Sequence, residues 1–494
     1  MVHRGSRGMY LLGVDLGTTG CKSIIFNPEG GIVSQAYIEY SLIYTPEGYI
    51  EQDADLWWKL AKQAIKEAVQ KSGIAPGEIT ALSVSSQGIA FVPVDESGNT
   101  LCNAISWLDT RAGQEACCIR DIFGEREIFE RTGKRLNQAY SLPKMMWLKK
   151  NRPDIYKRAW KLLMGLDYLT YKLTGIAVTD HSMAGGTMAY SISKGDWDRE
   201  LLRLCGIDIN KLPEIRFLGS RVGAVLPDAA RETGLSEKTT VILGAQDQKC
   251  AAVGAGIKQG ICTVSLGTAT AITSMGNKPM LDRNMRIPCF TLDEGRWVLE
   301  AVLTTSGVGL KWLRNTFFSD KSYGQIDEAV ESVSPGSGRV FFLPHMEGAA
   351  SPHWSPTAKG LIYGLGLSTS ANEILRSFYE GVAFQIRENI GVLEEMGQDI
   401  RELRIFGGGA KSRVWCRIIA DVTGKDVSIL CTNETANLGA AVIAGIGSGI
   451  YRRFEDLLSK IKIIEKTYKP DSGAAEIYRK AYSEYREIQD RVLG

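Results

Sequence analysis

The sequence lacks several features that mark common functional classes. Its 10 cysteines form no CxxC pair and its four histidines form no HExxH pair, so no structural zinc or metalloprotease centre is indicated. The net charge of +2 gives no reason to expect nucleic acid as a partner. No apolar run approaches the roughly 18 residues that span a bilayer, and MVHRGSRG at the start lacks the apolar core of a signal peptide. We therefore expect a reduced, cytoplasmic protein with neither a nucleic-acid nor a membrane partner.

What the sequence does contain is an alternation of strand and helix patterns. YLLGVDL, KSIIFN and ITALSVSSQGIAFVPVD are typical of strands, whereas residues 54–71, PKMMWLKKNRPDIYKRA and DYLTYKLTG are typical of helices. Such alternation predicts α/β architecture. A chain of 494 residues exceeds one ordinary domain, and GAGIKQG near residue 255 suggests two domains, 9–256 and 257–494.

The stretch LGVDLGTTGCKS (12–23) resembles a phosphate-binding P-loop in its letters only. A P-loop needs GxxxxGK[ST] with a helix starting at the lysine, whereas only two residues separate Gly17 from Gly20, and a strand pattern follows Lys22. The stretch instead predicts a hairpin with the loop GTTG. Such a loop can hold phosphate through backbone amides and threonine hydroxyls, and Asp15 before it suits a largely hydrated Mg²⁺. The alternative is a plain tight turn beside a buried strand.

A second hairpin pattern supports the phosphate interpretation. Leu16-Gly17-Thr18 recurs about half a chain later in SLGTAT as Leu266-Gly267-Thr268, again between two strand patterns. The repeat suggests two duplicated halves.

Three further stretches carry candidate site residues, each with a structural alternative. Asp247 in GAQDQ follows a strand and precedes a helix of small residues, so it is either a general base or a helix N-cap. Trp107, Asp109 and Arg111 alternate, so in an extended segment they share one face, either as a sugar site or as an ion pair packed beside a tryptophan. FGGGAKSRVW (406–415) is a strand–glycine–helix turn that contacts nucleotide or merely permits tight packing, and GIGSG (445–449) predicts a helix C-terminal turn.

In order along the chain, these pieces resemble the FGGY family of carbohydrate kinases. GVDLGTTGCK and SLGTAT look like the family's two phosphate motifs, GAQDQ like its catalytic segment and FGGGAKSRVW like its adenosine motif. KMMWLKKN (144–151) and GLGLSTSANEILRSFYEG (364–381) are similar to two family signatures. The resemblance implies an α/β fold of two actin-like (ribonuclease H-like) ATPase domains with a cleft between them. The domain 9–256 would bind sugar and the domain 257–494 would bind ATP, with a homodimer as the family-level expectation.

The resemblance also implies a role for each candidate residue. Asp247 would be the catalytic base, and Asp15 and Asp247 would lie near Mg²⁺. The residues expected to bind ATP are Thr18, Thr19, Lys22, Gly267, Thr268, Lys311, Gly408, Gly409 and Ser412. The residues expected to face the sugar are Gln87, Trp107, Asp109, Arg111 and Gln248.

The identity of the sugar is less strongly indicated. The chain looks most like xylulokinases, in which a Met-His pair usually follows the glutamine that matches Gln87, but here Gly88 and Ile89 stand in its place. We expect a ketopentose, D-xylulose first, with L-ribulose or another ketose or polyol as alternatives. An actin-like ATPase or a sugar-binding regulator on the same scaffold is the alternative outside the kinases.

Overall fold

The computed structural model describes residues 9–459 and 461–493, and it divides the chain into two compact units. The first unit holds residues up to Gly256 together with Phe290–Trp297 and Glu434–Ile461, and the second holds Ile257–Cys289, Val298–Asn433 and the segment from Lys462 onward. The first unit therefore includes a late segment that two contiguous halves would assign to the second. Across the described residues, no helix is both long and apolar enough to cross a membrane.

Strands and helices alternate along most of the chain, as the sequence patterns predict. The strands are β1 (Tyr10–Leu16), β2 (Gly20–Phe26), β3 (Ile32–Glu39), β4 (Ile43–Tyr44), β5 (Ile50–Gln52), β6 (Ile79–Ser86), β7 (Phe91–Val94), β8 (Ala104–Ile105), β9 (Lys161–Met164), β10 (Val178–Asp180), β11 (Tyr190–Ser191), β12 (Asp196–Trp197), β13 (Glu214–Arg216), β14 (Arg221–Ala224), β15 (Thr240–Gln246), β16 (Ile261–Leu266), β17 (Thr270–Gly276), β18 (Cys289–Asp293), β19 (Arg296–Leu303), β20 (Phe341–Leu343), β21 (Leu361–Tyr363), β22 (Glu402–Phe406), β23 (Asp426–Leu430) and β24 (Ile464–Tyr468). The helices are α1 (Ala54–Ser72), α2 (Gly113–Thr132), α3 (Ser141–Asn151), α4 (Pro153–Arg158), α5 (Gly165–Thr174), α6 (His181–Gly186), α7 (Arg199–Leu204), α8 (Pro227–Thr233), α9 (Asp247–Gly254), α10 (Gly307–Phe317), α11 (Tyr323–Glu331), α12 (Ala371–Glu395), α13 (Arg413–Thr423), α14 (Thr435–Gly447), α15 (Phe454–Leu458) and α16 (Ser472–Leu493). Short 3₁₀ turns lie at Pro76–Glu78, Ile209–Lys211, Ser337–Arg339 and Gly408–Lys411.

The two large sheets share one arrangement of strands. The first has the order β14-β15-β6-β1-β2-β3, in which β1 is antiparallel to β2 and parallel to β6, and β6 is parallel to β15. The second has the order β18-β19-β17-β16-β22-β23-β24, in which β16 is antiparallel to β17 and parallel to β22, and β22 is parallel to β23. Each sheet is thus a hairpin followed by two parallel strands. This agreement confirms both predicted hairpins and is what a duplicated unit produces.

Within the first unit, helix α14 packs unusually close to its neighbours. A Cβ added at Gly439 would lie 1.8 Å from the carbonyl oxygen of Cys250 in α9, and one added at Gly13 in β1 would lie 2.2 Å from the carbonyl oxygen of Asn437. Asn437 also donates from its side-chain amide to the carbonyl of Gly13 at 3.0 Å. Only glycine permits these approaches, and they hold α9 and α14 against the sheet.

Two predicted extended segments differ in the structure. ITALSVSSQGIAFVPVD is not one strand: β6 ends at Ser86, and β7 begins at Phe91 in a separate sheet of order β4-β5-β8-β7-β9. Ile89 lies in the break with φ +61°, a left-handed conformation that a β-branched residue rarely adopts. Residues 106–112 form turns after β8 and not the predicted extended segment, because the Asp109 amide turns back to the Ser106 carbonyl at 3.1 Å.

Candidate functional site

Three predicted residues lie at the carboxyl ends of three neighbouring parallel strands of the first sheet. Asp15 is near the end of β1, Gln87 follows the last residue of β6, and Asp247 follows the last residue of β15. The register pairs Asp15 with Ser85 and Gln246 with Ser86, so the three strand ends are level. Open α/β sheets bind their ligands at this edge. The first unit therefore brings together two carboxylates and an amide that lie far apart in sequence.

The loop of the first hairpin presents amides rather than carbonyls. The Gly17 carbonyl accepts from the Tyr40 hydroxyl, the Thr18 carbonyl from Gln52 Nε2 at 2.9 Å, and the Thr19 carbonyl from the Tyr40 amide at 2.9 Å. Within the described residues, the amides of Thr18 and Thr19 donate to no protein acceptor. Two such amides beside threonine hydroxyls are donors of the kind that bind anions.

Charged groups flank this loop on the sheet side. Asp15 accepts a hydrogen bond from Ser85 Oγ at 2.6 Å, and burial raises its pKa to about 6 against the lowering effects of that bond and of the Lys22 charge. Lys22 lies directly across the hairpin from Asp15, and its Nζ contacts both carboxylate oxygens of Glu434 at 2.8 Å. The lysine is therefore held in place by a carboxylate of the same unit.

Asp247 is the first residue of helix α9. Gln246 is the N-cap, so the predicted alternative in which Asp247 caps the helix is wrong by one position. The Asp247 Oδ1 accepts from the amide of the next residue, Gln248, at 2.6 Å. Asp247 and Gln248 are both partly exposed, whereas Lys249 is buried. A carboxylate at a helix N-terminus is stabilised in its ionised form, which a general base requires.

The predicted Asp109–Arg111 ion pair is present and buried. Arg111 Nε and Nη2 donate to the two oxygens of Asp109 at 2.8 Å each, and the Ile50 amide donates to Asp109 Oδ2 at 2.7 Å. Burial opposes ionisation of Asp109, but these hydrogen bonds outweigh it and hold the pKa of the carboxyl below its ordinary value. The guanidinium carbon lies 4.0 Å from the ring centroid of Tyr49 and 4.7 Å from that of Trp147, and the two rings themselves meet edge to face. The tryptophan that packs on the ion pair is thus Trp147 and not Trp107.

Trp107 instead contacts the hairpin loop. Its indole Nε1 donates to Thr18 Oγ1 at 3.0 Å, and 40% of its surface stays exposed. The buried Gln87 reaches the same loop indirectly, because its Nε2 donates to Gln52 Oε1 at 3.1 Å and Gln52 donates to the Thr18 carbonyl. Residues predicted for sugar and for phosphate therefore share one network in the first unit.

Sequence reasoning missed Lys144 as a residue of this region, although KMMWLKKN was noted as a signature. Its Nζ is buried and donates to the carbonyls of Ser106 and Trp107 at 2.7 and 3.3 Å. Burial lowers the pKa of this lysine to about 7, although the Asp109 charge acts in the opposite direction. Lys144 thereby holds the turn that carries Trp107 and Asp109.

The second unit contains a cavity of about 720 Å³. Six residues predicted to bind ATP line it, namely Gly267, Thr268, Lys311, Gly408, Gly409 and Ser412. Sequence reasoning missed Asp327 and Tyr379 in the same lining. Asp327 Oδ1 accepts from Ser412 Oγ and from the Tyr379 hydroxyl at 2.8 Å each, and burial raises the pKa of this carboxyl.

Close backbone approaches shape this cavity. The second hairpin's carbonyls at Gly267 and Thr268 accept from the amides of Gly307 and Val308 at the start of α10, at 2.9 and 3.1 Å. A Cβ at Gly307 would lie 2.5 Å from the Gly267 oxygen. Gly407, with φ +95°, turns the chain from β22 into the Gly408–Lys411 turn, and Ser412 then caps α13 by accepting from the Trp415 amide at 3.2 Å. The glycines of FGGGAKSRVW thus both permit tight packing and line the cavity.

Comparisons with known proteins agree with this geometry. Residues 10–254 match the family model "FGGY family of carbohydrate kinases, N-terminal domain", and residues 262–448 match the corresponding C-terminal domain model. The chain is 29% identical to a xylulose kinase of Bacillus subtilis over 97% of its length and 96% of that protein. It is 30% identical to a glycerol kinase of Thermococcus gammatolerans over 98% of each chain. A crystal structure of a gluconate kinase from Lactobacillus acidophilus superposes with a TM-score of 0.93, at 25% identity and 99% coverage of each chain.

The relatives differ in the substrates that name them and agree in the class of reaction. Both domain models match in the expected order and cover most of the chain. The chain belongs to the FGGY family of carbohydrate kinases and is an enzyme that transfers phosphate from ATP to a sugar or polyol.

Proposed function

We propose that this kinase phosphorylates a ketopentose, with D-xylulose as the first choice. The observation that carries the proposal is the level arrangement of Asp15, Gln87 and Asp247 at three neighbouring strand ends, with Asp15 just before the loop of the first hairpin. Full-length similarity to a xylulose kinase supports the choice of sugar. L-ribulose is the second candidate, because Gly88 and Ile89 depart from the pair expected for xylulose.

Asp247 is proposed as the general base. Its carboxylate takes the proton from the attacking sugar hydroxyl as the oxygen bonds to the γ-phosphorus and ADP leaves. Phosphoryl transfer depends on positioning and charge neutralisation more than on covalent chemistry, so one placed base is sufficient.

Phosphate binding is assigned to each unit separately. In the first unit, Thr18, Thr19 and Lys22 contact the terminal phosphates through amides, hydroxyls and an ammonium group. In the second unit, Gly267 and Thr268 do so through their loop, and Lys311, Gly408, Gly409 and Ser412 contact the remainder of the nucleotide in the 720 Å³ cavity. The paired carbonyls of both loops support this assignment. The Gly17 and Gly267 amides each donate within their own loop, at 2.9 and 3.1 Å, but the amides of Thr18, Thr19 and Thr268 donate to no acceptor among the described residues.

Mg²⁺ fits the donors of the first unit. Asp15 and Asp247 offer the hard oxygen ligands that Mg²⁺ prefers, and the raised pKa of Asp15, about 6, describes a carboxylate that a cation would stabilise. Within the described residues, no three His, Cys, Asp or Glu side chains form a metal-binding group, which agrees with an ion held mainly by water and phosphate. When bound, Mg²⁺ would neutralise charge that develops on the phosphates.

The sugar is assigned to Gln87, Trp107, Asp109, Arg111 and Gln248. Trp107 and Gln248 offer exposed surface, and Gln87 offers a buried amide. Because Asp109 and Arg111 satisfy each other, their proposed part is to fix the turn beneath the sugar as well as to contact it.

A coupled ADP-release assay tests the proposal. The panel is D-xylulose, L-ribulose, D-gluconate and glycerol, each at a saturating ATP concentration. We expect ADP release only with sugar and the highest kcat/KM for D-xylulose. An equal or higher kcat/KM for any other member overturns the choice of D-xylulose, and sugar-independent ADP release favours an ATPase. Assembly as a homodimer remains a prediction, which sedimentation tests separately.

A further inference from the structure

Gln246, the residue before the proposed base, occupies space that any side chain at position 88 would need. A Cβ added at Gly88 would lie 2.4 Å from Gln246 Nε2 and 3.1 Å from its Cδ. Real Cβ atoms do not approach heavy atoms this closely, so a side chain at 88 would require the Gln246 amide to move. The glycine at 88 therefore leaves the amide of Gln246 in its position beside the end of β6.

Two amide oxygens at these strand ends lack a hydrogen-bond donor. Within the described residues, Gln87 Oε1 and Gln246 Oε1 are both shielded from solvent and accept from no protein group. Gln87 is 1% exposed, and its Nε2 is fixed by Gln52, so its oxygen cannot take the place of its nitrogen without breaking that bond. A buried acceptor without a donor costs about 1–3 kcal/mol. A pair of them beside a proposed active-site base indicates that a ligand supplies the missing donors.

We propose that Gln246, seated over Gly88, is a specificity-determining residue that together with Gln87 accepts hydrogen bonds from hydroxyl groups of the substrate. This inference rests on the proposed function, since it concerns the sugar-binding side of the same site. The ligand chemistry is that of neutral hydroxyl donors on a carbon chain, because an amide oxygen accepts from a hydroxyl and offers nothing to a carboxylate. We expect Gln246 to act on the sugar, because it is not among the residues that line the cavity assigned to the nucleotide.

Four variants separate this role from simple space filling. Gln246→Ala removes the amide, Gln246→Met keeps the volume without an acceptor, Gly88→Ala displaces the amide sterically, and the double variant combines Gly88→Ala with Gln246→Ala. Gly88 does not have a left-handed φ, so alanine is compatible with its backbone. Gly77→Ala is the matched control, because a Cβ at Gly77 meets nothing within 4 Å.

The experiment measures kcat and KM for the best sugar of the panel and for ATP, with melting temperature as the check on folding. We expect Gln246→Ala, Gln246→Met and Gly88→Ala each to lower kcat/KM for the sugar about tenfold or more, with KM for ATP unchanged. The double variant should be no worse than Gln246→Ala alone, because both changes remove one interaction. Gly77→Ala should match the wild type.

The possible outcomes distinguish this inference from the proposed function. If Gln246→Met retains wild-type kcat/KM, Gln246 only fills space and the inference is overturned. The inference is also overturned if the losses of kcat/KM in the two single variants add up in the double variant. It is overturned as well if KM rises equally for the sugar and for ATP. If the wild-type chain phosphorylates no member of the panel, the proposed function fails and the inference fails with it.

Discussion

The two hairpin loops have the same backbone arrangement and different surroundings. Both loops begin with Gly-Thr after a strand that ends in Leu, and in both the loop carbonyls accept hydrogen bonds from protein donors. In the first unit the donors are Tyr40 and Gln52, whereas in the second they are amides at the start of α10.

The charged residues are found at only one of the two loops. Asp15 and Lys22, which pair across the first hairpin, flank the first loop, and the pair at the matching position of the second hairpin is Ser265 and Ala271. In the proposed function the same loop serves two tasks: the first unit adds groups proposed to take a proton and neutralise charge, and the second adds the cavity proposed to hold the nucleotide. On this proposal the shared backbone positions phosphate, and the surrounding side chains differ in what they do with it.

The largest expected effect comes from the proposed base, Asp247, because the residue in the matching position after β23 is Cys431. We predict that Asp247→Ala lowers kcat for sugar-dependent ADP release by about 10²–10⁴-fold, because no other group accepts the hydroxyl proton. The variant should still bind sugar, and the measurement is the rise in melting temperature that the sugar induces. Substantial residual turnover would contradict the assignment of Asp247.

The charge beside the first loop gives the next effect. We predict that Lys22→Met lowers kcat/KM for ATP about 10- to 100-fold, because a charge-assisted contact to phosphate contributes about 1.5–3 kcal/mol. Glu434→Gln is the control, since it removes the partner of Lys22 and keeps the ammonium group. If Lys22→Met and Glu434→Gln lower kcat/KM for ATP equally, the lysine has only a structural role. The two loops would then not differ by a charge that contacts phosphate.

Two substitutions, one beside each loop, test whether the contacts to the loop carbonyls affect the same kinetic constant in both units. Gly307→Ala forces a Cβ to within 2.5 Å of the Gly267 oxygen, and Tyr40→Phe removes the hydroxyl bond to the Gly17 carbonyl. We predict that Gly307→Ala raises KM for ATP about tenfold, at a cost of about 1–3 kcal/mol, and that Tyr40→Phe mainly lowers kcat, by a few-fold. Steady-state kinetics with ATP and with the sugar as the varied substrate measures both constants. If the two variants change kcat and KM identically, the proposed difference between the loops is contradicted.

The smallest effect concerns Lys144, which donates to the carbonyls of Ser106 and Trp107 and so stabilises the turn that they form. The pKa of Lys144 is about 7 in the folded protein, against an ordinary value of 10.5. Between pH 7 and pH 10.5 the lysine is therefore protonated in the unfolded chain and neutral in the folded protein. Stability contributed by this group therefore rises with pH from about 7 to 10.5 and is lost as pH falls through 7.

We predict that Lys144→Met removes this part of the pH dependence and raises KM for the sugar a few-fold. The measurement is the difference in melting temperature between wild type and variant at pH 6.5 and at pH 9, with kinetics at both. A difference that does not change with pH would show that Lys144 does not titrate in this range.

Much of the fold followed from local sequence patterns. Both hairpins were predictable because apolar strands flank a glycine-containing loop. Five of the six predicted residues that line the 720 Å³ cavity lie in SLGTAT and FGGGAKSRVW, two of the motifs that carry the resemblance to the family. Asp327 carries no such signal: it lies on α11, and only the packing of α11 against α12 and α13 brings it to Tyr379 and Ser412.

Errors arose where long-range bonds override a local pattern. The alternation of Trp107, Asp109 and Arg111 suggested an extended segment, but the Ile50 amide and the bond back to Ser106 hold a turn. Similarly, the sequence shows Gly88 only as a departure from the usual Met-His pair, and only the structure shows the Gln246 amide beside it. Neither outcome is visible in residues that are close in sequence.

The most direct test of the central claim is to identify the phosphorylated product. Wild-type enzyme, Mg²⁺-ATP and D-xylulose are incubated together, and mass spectrometry with ³¹P NMR follows the fate of the γ-phosphate. We predict one sugar monophosphate formed for each ADP, with none in the Asp247→Ala variant. Release of ADP with inorganic phosphate and no sugar phosphate would contradict the assignment of this chain as a ketopentose kinase.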